Sequence, residues 1–389
     1  MTSCDAFAQL PAVLNEKLTD SVKQRDLADL FGKLLHIKEN EDEHESSKKA
    51  DFSFIPSVGY SLTTGFNGDI SANVGFFTQA KYQQNLSEID GSLTYDTKNQ
   101  KEFVARSEIW IAADHYKIVT DTRFEQFPED TYGFGTLTTE AQANPIDFKY
   151  VRTYLTIYRK LLPDLYAGTG VNMDHHFDIT QKGNILHTIT DFQKYGFSSG
   201  SFSSGINLDL LYDSRRNPIN PTGGAYASLI YRDNAKITGS NSNWQSLQLD
   251  LRRYFKLSAR SNNVLAFWTM VWLTNGDTPY LDLPGTGLDM FNNTGRGYID
   301  GRFIGKNMIY AEGEYRFGIS RDGLLGGVVF ANGESLTELA GNSFRKIIPA
   351  AGAGLRVKVN KHSNTNICID YAVGCYGSNG LFLNLGEIF

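Results

Sequence analysis

Apolar and polar residues alternate with a period of two over most of the chain, from Asp51 onward. The alternation is clear in 308–319, 245–255 and 354–359, and clearest in 366–376. In that last segment one face holds Ile367, Ile369, Tyr371, Val373 and Cys375, and the other holds Cys368, Asp370, Ala372, Gly374 and Tyr376. Because successive side chains of a β-strand point to opposite faces, the pattern predicts strands with one apolar face and one small or polar face.

Sixteen segments of this kind can be placed along the chain. They are 52–62, 69–80, 86–97, 102–113, 116–127, 147–160, 165–179, 201–213, 224–234, 244–257, 264–274, 306–319, 325–331, 347–359, 364–376 and 380–389. Most are roughly 10–14 residues long, which suits transmembrane strands better than the shorter strands of soluble sandwiches. An even number of antiparallel strands closes a barrel without an edge. We therefore predict an all-β fold, a 16-stranded antiparallel transmembrane β-barrel over residues 51–389.

The connections between these segments fall into two classes. Tight turns near 162–164, 258–263 and 360–364 alternate with four long, polar loops, at 128–146, 180–200, 275–305 and 331–345. If the last strand ends in the periplasm, parity places all four long loops outside the cell. Short turns on one side and long loops on the other are typical of a Gram-negative outer-membrane barrel, and this is the localisation that we predict.

The first 50 residues have a different pattern. Apolar residues spaced by three and four in 11–39 predict a short amphipathic helix, and the charged stretch that follows predicts a solvated linker. Residues 1–8 read as the remnant of a signal peptide that ends in Ala6-Phe7-Ala8, although a lipidated Cys4 is an alternative. We expect 9–50 to form a periplasmic helix and linker. The helix could dock a periplasmic or membrane protein partner, lie under the barrel mouth or plug it.

Composition agrees with this interpretation. The mean hydropathy of −0.31 excludes a bundle of spanning helices, but a barrel pairs each lipid-facing residue with a lumen-facing one and so has a polar average. The net charge of −6 argues against a nucleic-acid partner. His175 and His176 are adjacent on a predicted strand and cannot share a metal ion there. With no catalytic motif in the sequence, we expect no enzyme activity, no metal and no cofactor.

Two motifs in the second half have a counterpart in a known family. The turn before strand 224–234 carries Asp213, Arg215, Asn217, Pro218, Pro221 and Gly224. It resembles the periplasmic "D-x-R-x-N-P-x-x-P-x-x-G" turn of the BamA/TamA superfamily, the bacterial surface antigen barrels. The loop 275–305 carries Gly295, Arg296, Gly297 and Tyr298. It resembles the Arg-Gly-aromatic motif of that superfamily, which implies a loop folded into the lumen.

The C-terminus supplies a third similarity. Leu381, Leu383 and Leu385 alternate along the last predicted strand, and the chain ends in Phe389. This is similar to the C-terminal signal that barrel-assembly machinery reads, so the resemblance implies that machinery as a partner for insertion, with outer-membrane lipid around the barrel. No POTRA module, the periplasmic domain typical of assembly proteins in the family, fits in the first 50 residues.

The charge of Arg296 must be matched inside a lumen, because a guanidinium cannot deprotonate. The resemblance implies an acidic partner in a "F-x-D-x-G" pattern, but the matching segment has Asn332 where the aspartate is expected. An amide would bind with about half the strength. Glu312 and Glu314 point inward on the strand that follows the loop, 306–319. We therefore expect a loop-anchoring wall of Glu312, Glu314 and Asn332, in which either Glu312 or Glu314 supplies the charge; the alternative is a loop that is held less firmly.

The resemblance implies a role in outer-membrane biogenesis, through protein or lipid insertion or translocation, or as a subunit of such a complex. The alternative is a passive pore or a structural barrel that anchors periplasmic or surface partners. A lipolytic enzyme is a third class, which lacks support from any Ser/His pair on an apolar face.

Overall fold

The computed structural model describes residues 25–26, 51–78, 85, 87–196, 199–215, 217–258, 261–290, 292–339, 342–361 and 364–389. The strands are β1 (Asp51–Ser61), β2 (Gly65–Phe76), β3 (Ser87–Asp96), β4 (Lys101–Ile111), β5 (Tyr116–Gln126), β6 (Glu129–Thr131), β7 (Asn144–Leu162), β8 (Leu165–Gln181), β9 (Gly200–Asp213), β10 (Gly224–Asn234), β11 (Trp244–Lys256), β12 (Val264–Gly276), β13 (Asn307–Gly318), β14 (Leu325–Glu338), β15 (Ser343–Phe344), β16 (Ile348–Asn360), β17 (Thr365–Gly374) and β18 (Asn379–Leu385). Short helical turns lie at Glu140–Gln142, Phe192–Gly196, Lys236–Thr238, Tyr280–Asp282 and Cys375–Gly377.

Sixteen of these strands form the wall of an antiparallel, nearly closed barrel, which confirms the predicted fold class. Each wall strand pairs with the next one along the chain, while β6 and β15 are short additions beside β7 and β14. The first and last strands, β1 and β18, lie side by side. Within the described backbone, no antiparallel ladder joins these two strands, although β1 is paired with β2 and β18 with β17 along their lengths. We call this junction the seam.

The two faces of the wall differ in the way that the sequence predicts. On β9, Ile206, Leu208 and Leu210 are exposed on the outside, while Asn207 and Asp209 are buried inside. Exposed apolar residues and buried polar residues are the reverse of the arrangement in a soluble protein. They indicate a lipid-facing exterior around a polar lumen. None of the described helices has the length and apolar character needed to cross a membrane.

Successive connections alternate between the two ends of the barrel. Those at 127–143, 182–199, 235–243, 277–306 and 339–347 share the end that we expect to be extracellular. The turns at 163–164, 214–223, 257–263, 319–324 and 361–364 share the opposite end. We call this opposite end the periplasmic rim.

Three strands, β2, β14 and β18, differ from their predicted boundaries by four or more residues. Strand β14 continues to Glu338, seven residues past the predicted end, so the loop expected over 331–345 begins later. Strand β2 begins at Gly65, before the predicted residue 69. Strand β18 ends at Leu385 because Gly386 adopts a positive φ of +88° and turns the last residues inward. The predicted helix in 11–39 lies outside the described residues apart from Arg25 and Asp26.

Candidate functional site

The connection between β12 and β13, residues 277–306, folds into the barrel and is called the lumen loop. Its Leu283, Phe303 and Ile304 are buried inside the barrel. Gly295 and Gly297 have φ values of +76° and +113°, which L-residues rarely adopt. A Cβ on Gly297 would lie 2.8 Å from the Cβ of Ala350, so the loop backbone approaches the wall of β16 closely. Glycine at these positions lets the motif enter the lumen.

Arg296 meets three carboxylates from two strands. Its Nη1 donates to Oδ2 of Asp370 on β17 at 2.8 Å. Its Nη2 donates to Glu312 and Glu314 on β13. The Arg296 side chain is 4% exposed and both glutamates are fully buried. The guanidinium also stacks on Phe330 of β14, 3.7 Å from the ring centroid. Buried charges of this kind require matched partners, so this pairing fixes the loop against the wall.

Two further arginines complete a closed ring of alternating charge. Arg316 Nε lies 2.7 Å from Glu314 Oε2 and 3.7 Å from Glu387 Oε2. Arg356 lies 2.9 Å from Glu387 through its Nε, and 2.5 Å from Asp370 Oδ1 through its Nη1. The order around the ring is Arg296, Asp370, Arg356, Glu387, Arg316 and Glu314. The lumen loop, the strand wall and the C-terminal tail are therefore joined in one buried network.

Asn332 lies at this wall but does not take the place of a carboxylate. Its Nδ2 donates to the backbone carbonyl of Arg296 at 2.9 Å, so it holds the loop backbone and not the guanidinium. Gly297 and Tyr298, the next residues of the motif, are also held by hydrogen bonds to backbone carbonyls. The hydroxyl of Tyr298 donates to the Pro349 carbonyl at 2.7 Å, and Ser378 Oγ donates to the Gly297 carbonyl at 2.6 Å.

The residues of the expected C-terminal signal are divided between the two faces of the barrel. Leu381 and Leu385 are exposed on the lipid side, and Leu383 is partly exposed. Phe389 is buried in the lumen, 5.3 Å from Trp268 between ring centroids. Arg316 Nη2 donates to the Phe389 carbonyl at 2.8 Å. The terminal aromatic is therefore a lumen residue, not a continuation of the lipid-facing row.

The turn motif of 213–224 lies at the periplasmic rim, beneath the C-terminal tail. Arg215 binds Asp213 through Nε at 2.9 Å and Nη2 at 2.7 Å, and Asn217 Oδ1 accepts the backbone N–H of Ile219 at 2.9 Å. The Ile219 carbonyl then accepts the backbone N–H of Glu387 at 3.1 Å. Pro218 is exposed and Pro221 is buried, and Gly224 closes the turn at a φ of +93°. The motif thus braces the tail that carries Glu387.

Other contacts hold the lumen loop around the barrel. Ser203 Oγ on β9 donates to Asp282 Oδ2 at 2.6 Å. The backbone N–H of Asp300 donates to Thr63 Oγ1, at the β1–β2 turn, at 2.8 Å. Arg302 Nη1 donates to Thr138 Oγ1 at 3.0 Å. Burial raises the pKa of Asp282 to about 7, with the neighbouring Asp174 adding to the increase.

Asp300 is a second loop carboxyl with a raised pKa. Burial raises the pKa of Asp300 to about 8, and the nearby Asp289 adds to the rise. The hydroxyl of Thr63 opposes this shift by stabilising the charged form. Near neutral pH, therefore, this carboxyl is largely protonated.

Sequence reasoning did not identify Asp370, Arg316, Arg356 or Glu387 as members of the site. The alternating pattern placed Asp370, Arg316 and Arg356 on the polar faces of their strands. That signal predicts a lumen-facing side chain but gives no partner, because the pairing depends on strand register and on the inward turn at Gly386.

No protein-family model matches the sequence, and no curated protein matches it. Solved structures do match. BamA from Haemophilus ducreyi lacking POTRA domains 1–3 superposes with a TM-score of 0.59 at 13% identity, covering 88% of this chain and 70% of that one. CdiB from Acinetobacter baumannii gives 0.54 at 13% identity, with 88% and 60% covered. CdiB from Escherichia coli gives 0.57 at 9% identity, with 87% and 62% covered.

The chain thus spans about three fifths of each CdiB structure and more of the BamA structure. At these identities the similarity is one of fold. It covers 87–88% of this chain. The chain therefore shares the β-barrel fold of the BamA and CdiB structures.

Proposed function

We propose that this barrel acts in biogenesis of the Gram-negative outer membrane, where it inserts or translocates protein or lipid, alone or as a subunit of a complex. The observation that carries the proposal is the lumen loop, which enters the lumen and is fixed to β13 and β17 by the buried pairing of Arg296 with three carboxylates. We propose no catalytic role.

The position of the loop favours a barrel that handles substrate rather than a passive pore. Loop residues pack into the interior, and their contacts reach β9, the β1–β2 turn and the 127–143 connection. A loop tied at several places across the lumen obstructs steady diffusion.

The seam supports a lateral route between lumen and membrane. A paired strand edge is held by many backbone hydrogen bonds, and the described backbones of β1 and β18 form no such ladder. Leu62, the residue after β1, packs against Gly380 of β18, where a Cβ would lie 2.3 Å from Leu62 Cδ2. The neighbouring Thr63 accepts the backbone N–H of Asp300, so the lumen loop touches the hairpin that borders the seam.

The periplasmic rim supplies a point of attachment for the N-terminal region. Arg25 donates its backbone N–H to the Asp322 carbonyl at 3.1 Å, and Asp26 Oδ2 accepts the N–H of Lys361 at 3.0 Å. These contacts support a seat for Arg25 and Asp26 at the β13–β14 and β16–β17 turns. Recruitment of a protein partner through residues 11–39 remains a prediction, and it is tested by identifying the proteins that copurify from native membrane.

A disulfide across the seam tests the proposal. In a protein with Cys4, Cys368 and Cys375 replaced by serine, we would introduce Leu62→Cys with Gly380→Cys. The matched control is Val329→Cys with Ala353→Cys, which are register partners on β14 and β16. The measured quantity is the amount of other barrel proteins and of lipid in the outer membrane of the host.

We expect the seam disulfide to lower that amount, a reductant to restore it, and the control disulfide to have no effect. A fully formed seam disulfide that leaves outer-membrane content unchanged would instead favour the structural or passive alternative.

A further inference from the structure

The lumen loop has a second anchor at Met290, which we call the tip of the loop, on a wall far from Arg296. The backbone carbonyl of Met290 accepts Nη2 of Arg123 at 2.5 Å and Nη2 of Arg106 at 3.3 Å. These arginines lie on β5 and β4. Around the barrel, the path β5–β7–β8–β9–β10–β11–β12–β13 has seven steps and the path through the seam has nine. The loop therefore bridges the lumen between nearly opposite walls.

Asp121 positions the arginines of this second anchor. Its carboxylate accepts Arg123 Nε at 2.9 Å and Arg123 Nη2 at 2.8 Å, which fixes the planar guanidinium in a bidentate geometry. Arg106 Nε lies 3.7 Å from the same carboxylate, and Arg152 Nη1 lies 3.9 Å from it. Asp121 is 1% exposed, so its charge is available only to these neighbours. We call Arg106, Asp121 and Arg123 the tip latch.

The two anchors differ in what remains after release. If Arg296 left its site, three buried carboxylates would lose their shared cation, which is costly. If the Met290 carbonyl left the tip latch, Arg123 would remain paired with Asp121, and the carbonyl would be solvated by water. Met290 is itself only partly buried. Release of the tip therefore leaves no unmatched charge, whereas release at Arg296 does.

We propose that the tip latch is the releasable anchor of the lumen loop, so that the tip leaves the β4–β5 wall while Arg296 holds the base of the loop. Release opens a lumen cavity of about 220 Å³ that Leu288, Met290 and Asn292 border on the loop side. Asp121 and Arg123 act as positioning residues for the loop. This inference concerns the loop alone and does not depend on what the barrel inserts or translocates.

Accessibility of the tip tests the inference. In full-length protein with Cys4, Cys368 and Cys375 replaced by serine, Met290→Cys would be labelled by a membrane-impermeant maleimide, since this change keeps the backbone carbonyl. We expect Arg123→Gln to raise the labelling rate at least about tenfold, the loss that a charge-assisted hydrogen bond predicts. Arg106→Gln should give a smaller rise, because its hydrogen bond is longer.

Arg152→Gln is the matched control. Arg152 contacts the same carboxylate, but its side chain donates to Tyr150 and not to the Met290 carbonyl. Its labelling rate should stay within about twofold of the parent rate. Heat-modifiable migration would establish that each variant is a folded barrel, and Arg106→Gln serves if Arg123→Gln does not fold. Equal labelling of the parent, Arg106→Gln and any folded Arg123→Gln would overturn the proposal, as would an equal increase in Arg152→Gln.

Discussion

Arg296 and Asp370 are joined by a direct hydrogen bond of 2.8 Å, although one lies in the lumen loop and the other on β17. The same Asp370 carboxylate also binds Arg356, which binds Glu387 of the C-terminal tail. The Asp370 carboxylate therefore couples the loop to the end of the chain, so loss of Arg296 or of Arg356 should weaken both attachments.

Removal of the Arg296 side chain should destabilise the barrel. Arg296→Ala leaves Glu312, Glu314 and Asp370 buried without their shared cation, and breaking buried pairs costs about 3–5 kcal/mol. Urea unfolding followed by heat-modifiable migration measures the loss, and limited proteolysis reports on the loop. Arg345→Ala, at an exposed arginine, is the control. Equal midpoints and equal loop cleavage in both variants would contradict the anchoring role.

The close approach at Gly297 should make this position intolerant of a side chain. Gly297→Ala combines an unfavourable φ of +113° with a contact of 2.8 Å to Ala350, so we expect a loss of about 1–3 kcal/mol. Gly183→Ala is matched for positive φ, at +78°, but its Cβ would have no neighbour within 4 Å. The difference between the urea midpoints of the two variants separates the cost of the wall contact from the cost of the backbone strain. A Gly183→Ala loss as large as that of Gly297→Ala would show that the wall contact is unimportant.

Because Phe389 lies in the lumen, truncating it should lower stability more than truncating a lipid-facing side chain. Phe389→Ala removes a buried ring beside Trp268 and Tyr254, and should lower stability by about 3–5 kcal/mol. Leu385→Ala, at a residue that is 50% exposed, should cost less than about 1 kcal/mol. Stability is measured on refolded protein, so that any effect of a variant on its insertion in cells does not enter the comparison. The lumen packing would be refuted if the Leu385 variant lost more stability than the Phe389 variant.

The alternation of residues predicted nearly every wall strand, because strand period and membrane thickness are both local constraints. It failed for β14 because Ala331, Gly333 and Ser335 give that extension a small or polar outer face, which resembles a loop. It failed for Phe389 because the pattern continues in phase past Leu385, whereas a positive φ at Gly386 ends the strand. The partnership of Arg296 with Asp370 needed the register of distant strands, which no local pattern contains.

The loop should hold less firmly as pH rises. Burial raises the pKa of Asp300 to about 8, above its unfolded value of about 4. The neutral carboxyl is therefore favoured in the folded protein. Its contribution to stability is complete below about pH 4, falls as pH rises through about 8, and is constant above that.

Loop proteolysis should accordingly become faster between pH 6 and pH 9 in the parent protein. Asp300→Asn, which imitates the neutral carboxyl, should show a weaker dependence, after correction for the pH profile of the protease on an unfolded substrate. Identical pH profiles for parent and variant would show that Asp300 does not control the loop.

The central claim is that the lumen loop bridges and obstructs the lumen, and conductance in a planar bilayer tests it most directly. The parent barrel should show low or brief conductance, and Arg296→Ala should increase it by freeing the base of the loop. Large, steady channels from the parent protein, unchanged in Arg296→Ala, would contradict the claim.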